Sequence, residues 1–519
     1  MNRLRRFMFN GILMAIVALI MRTVAVSFNV YISNKIGAVA MGLFSLIMTV
    51  YGFAITFATS GINLATTRLV AEAIGDTANI KGIPSEKSGT VNCILKKCIA
   101  YSLIFGSAAT LILFVFAEHI GTDILRDART VNSLKVLALT LTPIAVSSTL
   151  NGYFSAVRNV YKNAATQVLG QGIKIYACIA FIAILGANDT ESACLAVVCG
   201  GALAEVLSFL IGLLLYLIGR PRSKKLPDAS SKKKIRKNLL LNALPLALSA
   251  YMRSALVTIE HILIPLGLEK SGSSRDTSLA AYGTVGSMVF PLVLFPSAIS
   301  ASFAGLLIPE VAESAATNDI RRIKGIVCTV METVLIFSIG CAGVIMSFSL
   351  ELGMAVYPQA NDAGKFILMI APLIPVMYLD TAVDSMLKGL GEQVYSMWVN
   401  IADAFISVIL VAVLLPVMGI YGYIVTVYFT EILNATLSIT RLIVKSKVRP
   451  KILSWVGRPL LCVIAATRTA HFIIEALSFG NVWIHIALAS VVYIVLMIIF
   501  GGIKISTVVD RVKYIFAKT

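Results

Sequence analysis

Apolar segments recur from the first dozen residues of the chain to its C-terminal end, with short polar connections between them. Each is about 20 residues long, which is the length an α-helix needs to cross the hydrocarbon core of a bilayer. Fourteen such windows are present, at residues 11–33, 41–65, 96–117, 133–157, 164–185, 193–218, 238–265, 279–307, 326–349, 364–388, 394–415, 420–442, 452–475 and 482–503. The pattern predicts an all-α polytopic membrane protein with about 14 transmembrane helices. The thirteenth window is the weakest, because Arg458, Arg468 and His471 interrupt it.

The composition agrees with a membrane protein. Hydrophobic residues make up 58% of the 519 residues and charged residues 13%, whereas a soluble domain carries about 25% charged residues. The basic start followed by an apolar run resembles a signal peptide. That run is longer than the roughly 7–15 residues of a signal-peptide core, so we expect an uncleaved first span.

The net charge of +18 is distributed unevenly between the two sides of the predicted membrane. When the connections are assigned alternately to the two sides, 32 Lys and Arg lie on the side of the N-terminus and 7 on the opposite side. Cytoplasmic connections are the ones enriched in Lys and Arg. Both termini are therefore predicted to be cytoplasmic. The positive charge follows from topology, and we expect no binding to nucleic acid.

The longest basic connection divides two sets of six spans that resemble each other. Three segments recur in the same order, at residues 20–32 and 251–263, 68–83 and 309–326, and 141–159 and 370–389. Six spans return the chain to its starting side, so the repeats are parallel. The predicted domains are an N-terminal lobe, a basic cytoplasmic linker, a C-terminal lobe and a final helix pair with a tail, at residues 1–219, 220–237, 238–447 and 448–519. The linker charges are expected to be solvated, with contact to anionic lipid as the alternative.

An arginine lies deep in an apolar span of each repeat, Arg22 in "IMRTVAVSFNVYI" and Arg253 in "YMRSALVTIEHIL". A charge near the bilayer centre costs on the order of 2.5–3.5 kcal/mol on insertion scales, so ionisable groups there usually have a function. Guanidinium groups match phosphate oxygens in a bidentate way. We predict that both arginines face a wet cavity and bind an anion. The alternative is a structural ion pair with Glu260 or another acid.

Further polar residues within or near the spans are candidates for the same cavity. Lys388 and Arg68 are assigned to the headgroup site with the two arginines. The candidates for cavity polarity or ion coupling are Glu260, Asp380, Asp384, Asn29, Asn151 and Glu205. Asp380, Asp384 and Lys388 recur every four residues and so share one helix face. That stripe is either a cavity wall or an i,i+4 network against a neighbouring helix. Single acids in other spans, Glu332, Asp403 and Glu431, are expected to lie between packed helices.

No nucleotide-binding, zinc or nucleophile motif occurs in the sequence. We therefore expect no enzyme activity and no cofactor, and transport would draw on a cation gradient or on the membrane potential. The eight cysteines show no paired spacing and are interpreted as apolar residues, neither disulfides nor metal ligands.

Residues 34–75, "NKIGAVAMGLFSLIMTVYGFAITFATSGINLATTRLVAEAIG", combine I-G-x₄-G-L with L-V-A-E. This segment resembles the stage V sporulation protein B family, in the polysaccharide-transporter branch of the multidrug/oligosaccharidyl-lipid/polysaccharide flippase superfamily. The resemblance implies two six-helix lobes, alternating access and a cationic central cavity that contains Arg22. It also implies a place in the bacterial cytoplasmic membrane and a part in spore cortex or wall assembly.

The function that follows is translocation of an undecaprenyl-pyrophosphate-linked oligosaccharide, with the peptidoglycan precursor lipid II as the expected substrate. Membrane lipids and wall-synthesis enzymes are the expected partners. Two alternatives stay open from the sequence. One is a cation-coupled multidrug antiporter of the same superfamily, and the other is a non-transporting membrane scaffold for wall synthesis.

Overall fold

A computed structural model describes residues 3–78, 89–157, 159–186, 189–218, 229–317, 319–477 and 480–501. These residues form helices joined by short turns, and none of them lies in a β-strand. The all-α prediction is confirmed. Residues 220–228 of the predicted linker, Arg158 and the tail from residue 502 lie outside the described residues.

The α-helices, numbered in chain order, are α1 (Arg3–Thr59), α2 (Ile62–Ala78), α3 (Gly89–His119), α4 (Val131–Ala138), α5 (Leu141–Ala156), α6 (Val160–Leu185), α7 (Thr190–Ile218), α8 (Ala229–Lys270), α9 (Arg275–Gly283), α10 (Phe290–Val293), α11 (Ser297–Ala316), α12 (Ile320–Ser347), α13 (Ser349–Val356), α14 (Ala363–Ile370), α15 (Ile374–Gly389), α16 (Gln393–Met418), α17 (Ile420–Ser446), α18 (Arg458–Leu477) and α19 (Val482–Ile499). π-Helical segments lie at Ile120–Ile124, Thr284–Val289 and Leu453–Gly457, and 3₁₀ turns at Ala128–Thr130 and Ala371–Leu373.

Among the described residues, eleven helices are long and apolar enough to cross a membrane, or up to twelve if one bent pair counts as a span. One of the eleven, Leu19–Ile74, contains the first two predicted spans. They are separated at Gly37, whose φ of +80° and ψ of 171° interrupt the helix. A glycine adopts this conformation without the steric cost that a Cβ would bring. The count is compatible with the predicted fourteen.

The predicted eighth span, residues 279–307, is broken into several short helices. A π-helical segment follows α9, and a turn separates α10 from α11. Pro291 lies in the first turn of α10, and Pro296 immediately precedes α11. Proline lacks a backbone N–H and interrupts helical hydrogen bonding, which accounts for the breaks.

The chain divides into two compact units. Unit 1 consists of Met1–Ala38, Gly267–Ser274 and Ala281–Thr519, and unit 2 of Val39–Leu266 and Arg275–Ala280. Unit 1 thus contains the first predicted span, and unit 2 contains the seventh up to Leu266. The domain boundaries proposed from sequence stay a prediction.

The same packing plan occurs inside each unit. In unit 2, α5 packs against α2, α3 and α7, and α6 packs against α7. In unit 1, α15 packs against α11, α12 and α17, and α16 packs against α17. Val70 and Val311, at matching places in the recurring segments, are both fully buried. The helix order and the packing partners agree with an internal duplication.

Candidate functional site

Arg22 lies in the part of α1 that belongs to unit 1, and its side chain is exposed. Among the described residues it forms no ion pair, and it is near enough to the buried Tyr378 of α15 to act on it electrostatically. Further along the same helix, Asn29 accepts a hydrogen bond from Ser33 at 3.1 Å. Asn34 Nδ2 donates to the carbonyl of Val356 at 2.8 Å, which fixes the end of this segment.

Arg253 lies in the part of α8 that belongs to unit 2, and its side chain is also exposed. No ion pair of Arg253 occurs within the described part of the chain. Its neighbours hold α8 against the second half of α1. The hydroxyl of Tyr251 hydrogen-bonds with Ser60, and Ser254 Oγ donates to Thr56 Oγ1 at 3.3 Å. The helix is therefore fixed by hydroxyl groups, while the guanidinium is left accessible.

Three carboxylates from neighbouring helices of unit 1 come together. Asp380 lies on α15, Asp403 on α16 and Glu431 on α17, and all three side chains are half-buried. The charges of Asp380 and Asp403 both act on Glu431. Like-charged carboxylates repel one another, and uptake of a proton or another positive charge relieves the repulsion. Sequence reasoning named these acids one by one, because nothing in the sequence indicated that their helix faces converge.

The rest of the α15 stripe forms a local network. Lys388 Nζ lies 2.5 Å from a carboxylate oxygen of Asp384, four residues earlier, and Asp384 also accepts a hydrogen bond from Ser396 of α16. The structure therefore separates the predicted stripe into two parts. Asp380 belongs to the acidic cluster, whereas Asp384 and Lys388 pair with each other.

The other predicted site residues lie apart from this cluster. Arg68 is exposed and pairs with Glu72, Nε to Oε1, at 2.9 Å. Glu205 of α7 is exposed and interacts electrostatically with Lys174 of α6. Asn151 of α5 and Glu260 of α8 are half-buried.

Unit 1 also contains an apolar groove. A cavity of about 1120 Å³ lies among α12, α18 and α19. The apolar part of its lining includes Ile336, Phe337, Val344, Ile345, Ile486 and Ile494, and the charged part is Glu332, Lys451 and Arg458.

An ion network fixes one end of unit 2, on the predicted extracellular side. Arg129 donates to both carboxylate oxygens of Asp127, at 2.9 and 2.8 Å, and to Asp276 at 2.9 Å. Arg275 donates to the carbonyl of Leu125 at 2.6 Å. Burial opposes the ionisation of Asp127, but the hydrogen bonds and charges of the two arginines outweigh it and lower the pKa of Asp127 below its ordinary value.

A second network fixes unit 1 on the predicted cytoplasmic side. Glu392, between α15 and α16, accepts two hydrogen bonds from Arg441 at 3.0 and 2.7 Å, and Lys445 lies 2.6 Å from its other oxygen. Lys445 and then Arg441 lower the pKa of Glu392 below its ordinary value. The Arg441 guanidinium also lies 4.9 Å from the ring centre of Tyr395.

The fold defines the class of protein. The structure of the lipid II flippase MurJ in an inward closed conformation matches with a TM-score of 0.67, at 13% identity, over 94% of this chain and 98% of its own. An inward-facing multidrug resistance transporter of the MATE family matches with a TM-score of 0.63, at 15% identity, over 84% of this chain and 100% of its own. The fold is that of the MOP superfamily of transporters, to which the MATE protein belongs.

The family follows from the sequence match. A family model described as "Polysaccharide biosynthesis protein" covers residues 7–313, and the chain belongs to that family. Stage V sporulation protein B of Bacillus subtilis (strain 168) is 24% identical over 487 residues, 92% of each chain. The resemblance found in the sequence is confirmed. The chain thus belongs to the polysaccharide biosynthesis family and shares its fold with transporters of known structure.

Proposed function

We propose that the protein is an alternating-access flippase that moves an undecaprenyl-pyrophosphate-linked oligosaccharide outward across the bacterial cytoplasmic membrane. Lipid II is the proposed substrate, and cortex or wall assembly is the proposed use of the product. Membership of the polysaccharide biosynthesis family and the fold shared with a lipid II flippase support this proposal. The positive-inside pattern supports cytoplasmic termini.

The observation that carries the proposal is the pair of arginines in the two repeats. Arg22 and Arg253 occupy matching positions in recurring segments, both are exposed, and neither is neutralised by a carboxylate among the described residues. A permanently charged guanidinium within an apolar span is costly unless water or an anionic guest meets it. A pyrophosphate supplies oxygens in the geometry that guanidinium groups bind best.

The proposed mechanism gives each group one role. The arginines bind the pyrophosphate and keep it out of the hydrocarbon while the lobes rock from inward to outward access. Lys388 and Arg68 would attract the headgroup on the cytoplasmic side, which requires Lys388 to exchange Asp384 for phosphate. Asp380, with Asp403 and Glu431, would take up the proton or cation that couples the cycle to a gradient.

Translocation of lipid II in reconstituted vesicles tests the proposal. Removing a charge-assisted hydrogen bond costs about 1.5–3 kcal/mol, so Arg22→Ala and Arg253→Ala should each lower the rate by roughly 10- to 100-fold. Arg22→Lys and Arg253→Lys should lower it less, because the charge stays while the bidentate geometry is lost. The matched control is Arg321→Ala, an exposed arginine at the start of α12. Unchanged rates in both alanine variants would refute the assigned roles.

A second candidate function is cation-coupled export of drugs, and the acidic cluster of Asp380, Asp403 and Glu431 favours it. Negatively charged groups suit cationic compounds, whereas the two arginines do not. Growth of cells expressing the protein in the presence of cationic drugs distinguishes the two functions. Resistance that is lost in Asp380→Asn but kept in Arg22→Ala would favour the drug exporter.

A further inference from the structure

The break in the eighth span, between α10 and α11, changes the hydrogen bonding of its backbone. In a continuous α-helix the N–H of Ser297 would donate to the carbonyl of Val293, four residues earlier. Here it donates to the carbonyl of Leu294 at 3.1 Å. Pro296, which has no N–H, lies within the break. The carbonyl of Val293 therefore takes its donor from outside the span.

That donor is Tyr378 of α15. Its hydroxyl donates to the carbonyl of Val293 at 2.7 Å, and the backbone of Ser297 hydrogen-bonds with the same oxygen. The side chain is fully buried, and its ring centre lies 6.2 Å from that of Phe337 on α12. One hydroxyl thus stands between the two backbone groups that a straight helix would join directly. A side chain inserted in this way is a recognised cause of a sharp bend in a helix.

A second buried tyrosine anchors the same span in a different way. The hydroxyl of Tyr357 donates to the carbonyl of Met288 at 2.9 Å, in the π-helical segment that precedes α10. The charge of Arg22 acts on Tyr378, whereas no charged group acts on Tyr357 within the described residues. The hydroxyl at the break is therefore the one that responds to the arginine of the first span.

Two arrangements of the break differ in their response to Arg22. With the hydroxyl of Tyr378 inserted, the positive charge of Arg22 polarises the O–H group and strengthens its donation to Val293. With the hydroxyl withdrawn, Ser297 bonds to Val293 directly and the span is straighter. That second arrangement gains nothing from Arg22, so an anion that cancels the charge shifts the balance towards it.

We propose that Tyr378 is a positioning residue that holds the bend of the eighth span and transmits to it the charge state of Arg22. A free Arg22 keeps the hydroxyl inserted and the span bent, and an anion bound to Arg22 releases it. The link to an anion rests on the proposed function, whereas the place of Tyr378 in the break does not. The groups that form the link all lie in unit 1.

Hydrogen–deuterium exchange of the purified full-length protein in detergent, measured by mass spectrometry on peptides covering residues 293–300, tests the proposal. Tyr378→Phe keeps the buried ring and removes the hydroxyl, so Ser297 should bond to Val293 directly. Its amide should then exchange about tenfold more slowly, the factor that corresponds to one hydrogen bond. Loss of a plain anchor would instead loosen the break and speed the exchange. The matched control is Tyr357→Phe, which removes the other buried hydroxyl and should leave this exchange unchanged.

The response to Arg22 separates a positioning role from a purely structural one. Arg22→Ala should slow the same exchange about as much as Tyr378→Phe does, and the two changes together should add little to either alone. Arg22→Lys keeps the charge and should exchange like the wild type. The effect of Arg22→Ala should be retained in the Tyr357→Phe background.

Inorganic pyrophosphate, with its binding followed by isothermal titration calorimetry, supplies the anion. It should slow the exchange in the wild type and in Tyr357→Phe, but not in Tyr378→Phe. If pyrophosphate does not bind, the role of Arg22 in the proposed function is contradicted, while Arg22→Ala still decides the link to the bend. The proposal is overturned if Tyr378→Phe exchanges faster, if Arg22→Ala exchanges like the wild type, or if bound pyrophosphate leaves the exchange unchanged.

Discussion

Units 1 and 2 share a packing plan but carry their charges in different places. Unit 2 has its most buried ion network at the predicted extracellular end, around Asp127, whose side chain is 5% exposed. Unit 1 has its network at the predicted cytoplasmic end, around Glu392, whose side chain is 14% exposed. Within the spans, the acid Glu205 of unit 2 lies in electrostatic range of a base, whereas Glu431 of unit 1 lies in range of two further acids.

The aligned positions of the two repeats show a related difference between the copies, which do not coincide with the units. Asn151 lies in unit 2 and Asp380 in unit 1, whereas Asn29 lies in unit 1 and Glu260 in unit 2. When the recurring segments are superposed, Asn29 matches Glu260 and Asn151 matches Asp380, and Ser155 matches Asp384. In each pair the first copy has a neutral polar residue and the second copy has a carboxylate. Packing was retained after duplication, while the acidic groups collected in the second copy. A step that depends on a proton or a cation is therefore expected to reside there.

The largest expected effect comes from neutralising those acids. Asp380→Asn and Glu431→Gln remove the repulsion that a bound proton or cation relieves, so transport should lose its response to a gradient. We expect the gradient-driven rate of translocation in vesicles to fall at least tenfold, with a smaller change in the rate without a gradient. The measurement compares both rates at an imposed pH or sodium gradient.

The matched control for that experiment is Glu205→Gln in unit 2. Its carboxylate lies outside the acidic cluster and within electrostatic range of Lys174, so the gradient response should be retained. If Glu205→Gln and Asp380→Asn lost the gradient response equally, acids of both units would contribute to coupling. The functional contrast between the units would then be wrong.

The second effect concerns the stability of unit 2. Asp127→Asn leaves Arg129 and Arg275 without their buried carboxylate, and breaking one partner of a buried ion pair costs about 3–5 kcal/mol. The loss should appear as a lower Tm in detergent. Asp276→Asn is the control, because its side chain is 62% exposed and a surface ion pair contributes about 0–1 kcal/mol.

The pH dependence of that loss has a defined sign. The folded-state pKa of Asp127 lies below its ordinary value, so the stabilisation is complete above the unfolded-state pKa of about 4. It is lost as the pH falls further, through the folded-state pKa. The difference in Tm between the wild type and Asp127→Asn should be constant from pH 7 to 5 and shrink below pH 4. A difference that grows on acidification would contradict this assignment.

Sequence patterns predicted the helices well and the contacts between them poorly. Span length predicted an all-α membrane protein, and the structure confirms the helical fold. Asp127 and Asp276, in contrast, are joined through Arg129 although 149 positions separate them, and no local signal predicts that contact. Arg22 and Arg253 were found because a repeated charge in an apolar span is itself a local signal.

The third effect is a smaller loss of stability, in unit 1. Glu392→Gln removes the charge between Arg441 and Lys445 but keeps an amide oxygen that can accept a hydrogen bond. A hydrogen bond to a charged group contributes about 1.5–3 kcal/mol, and the partly exposed position of Glu392 favours the lower figure. We expect a fall in Tm about half that of Asp127→Asn. Equal falls would show that exposure does not distinguish the two networks.

The smallest effect is expected from the electrostatic interaction between Glu205 and Lys174 in unit 2. Glu205 and Lys174 lie on neighbouring helices, and Glu205 is accessible, so the pair is only weakly shielded. Polar contacts between membrane helices average about 0.6 kcal/mol in double-mutant cycles. The cycle of Glu205→Gln, Lys174→Gln and both together should give a coupling energy of that size, measured from unfolding in detergent. The double variant should be more stable than the two single losses predict, because it leaves no unpaired charge. A coupling energy above about 2 kcal/mol would instead approach that of a buried ion network. The interaction between Glu205 and Lys174 could then no longer be described as weak.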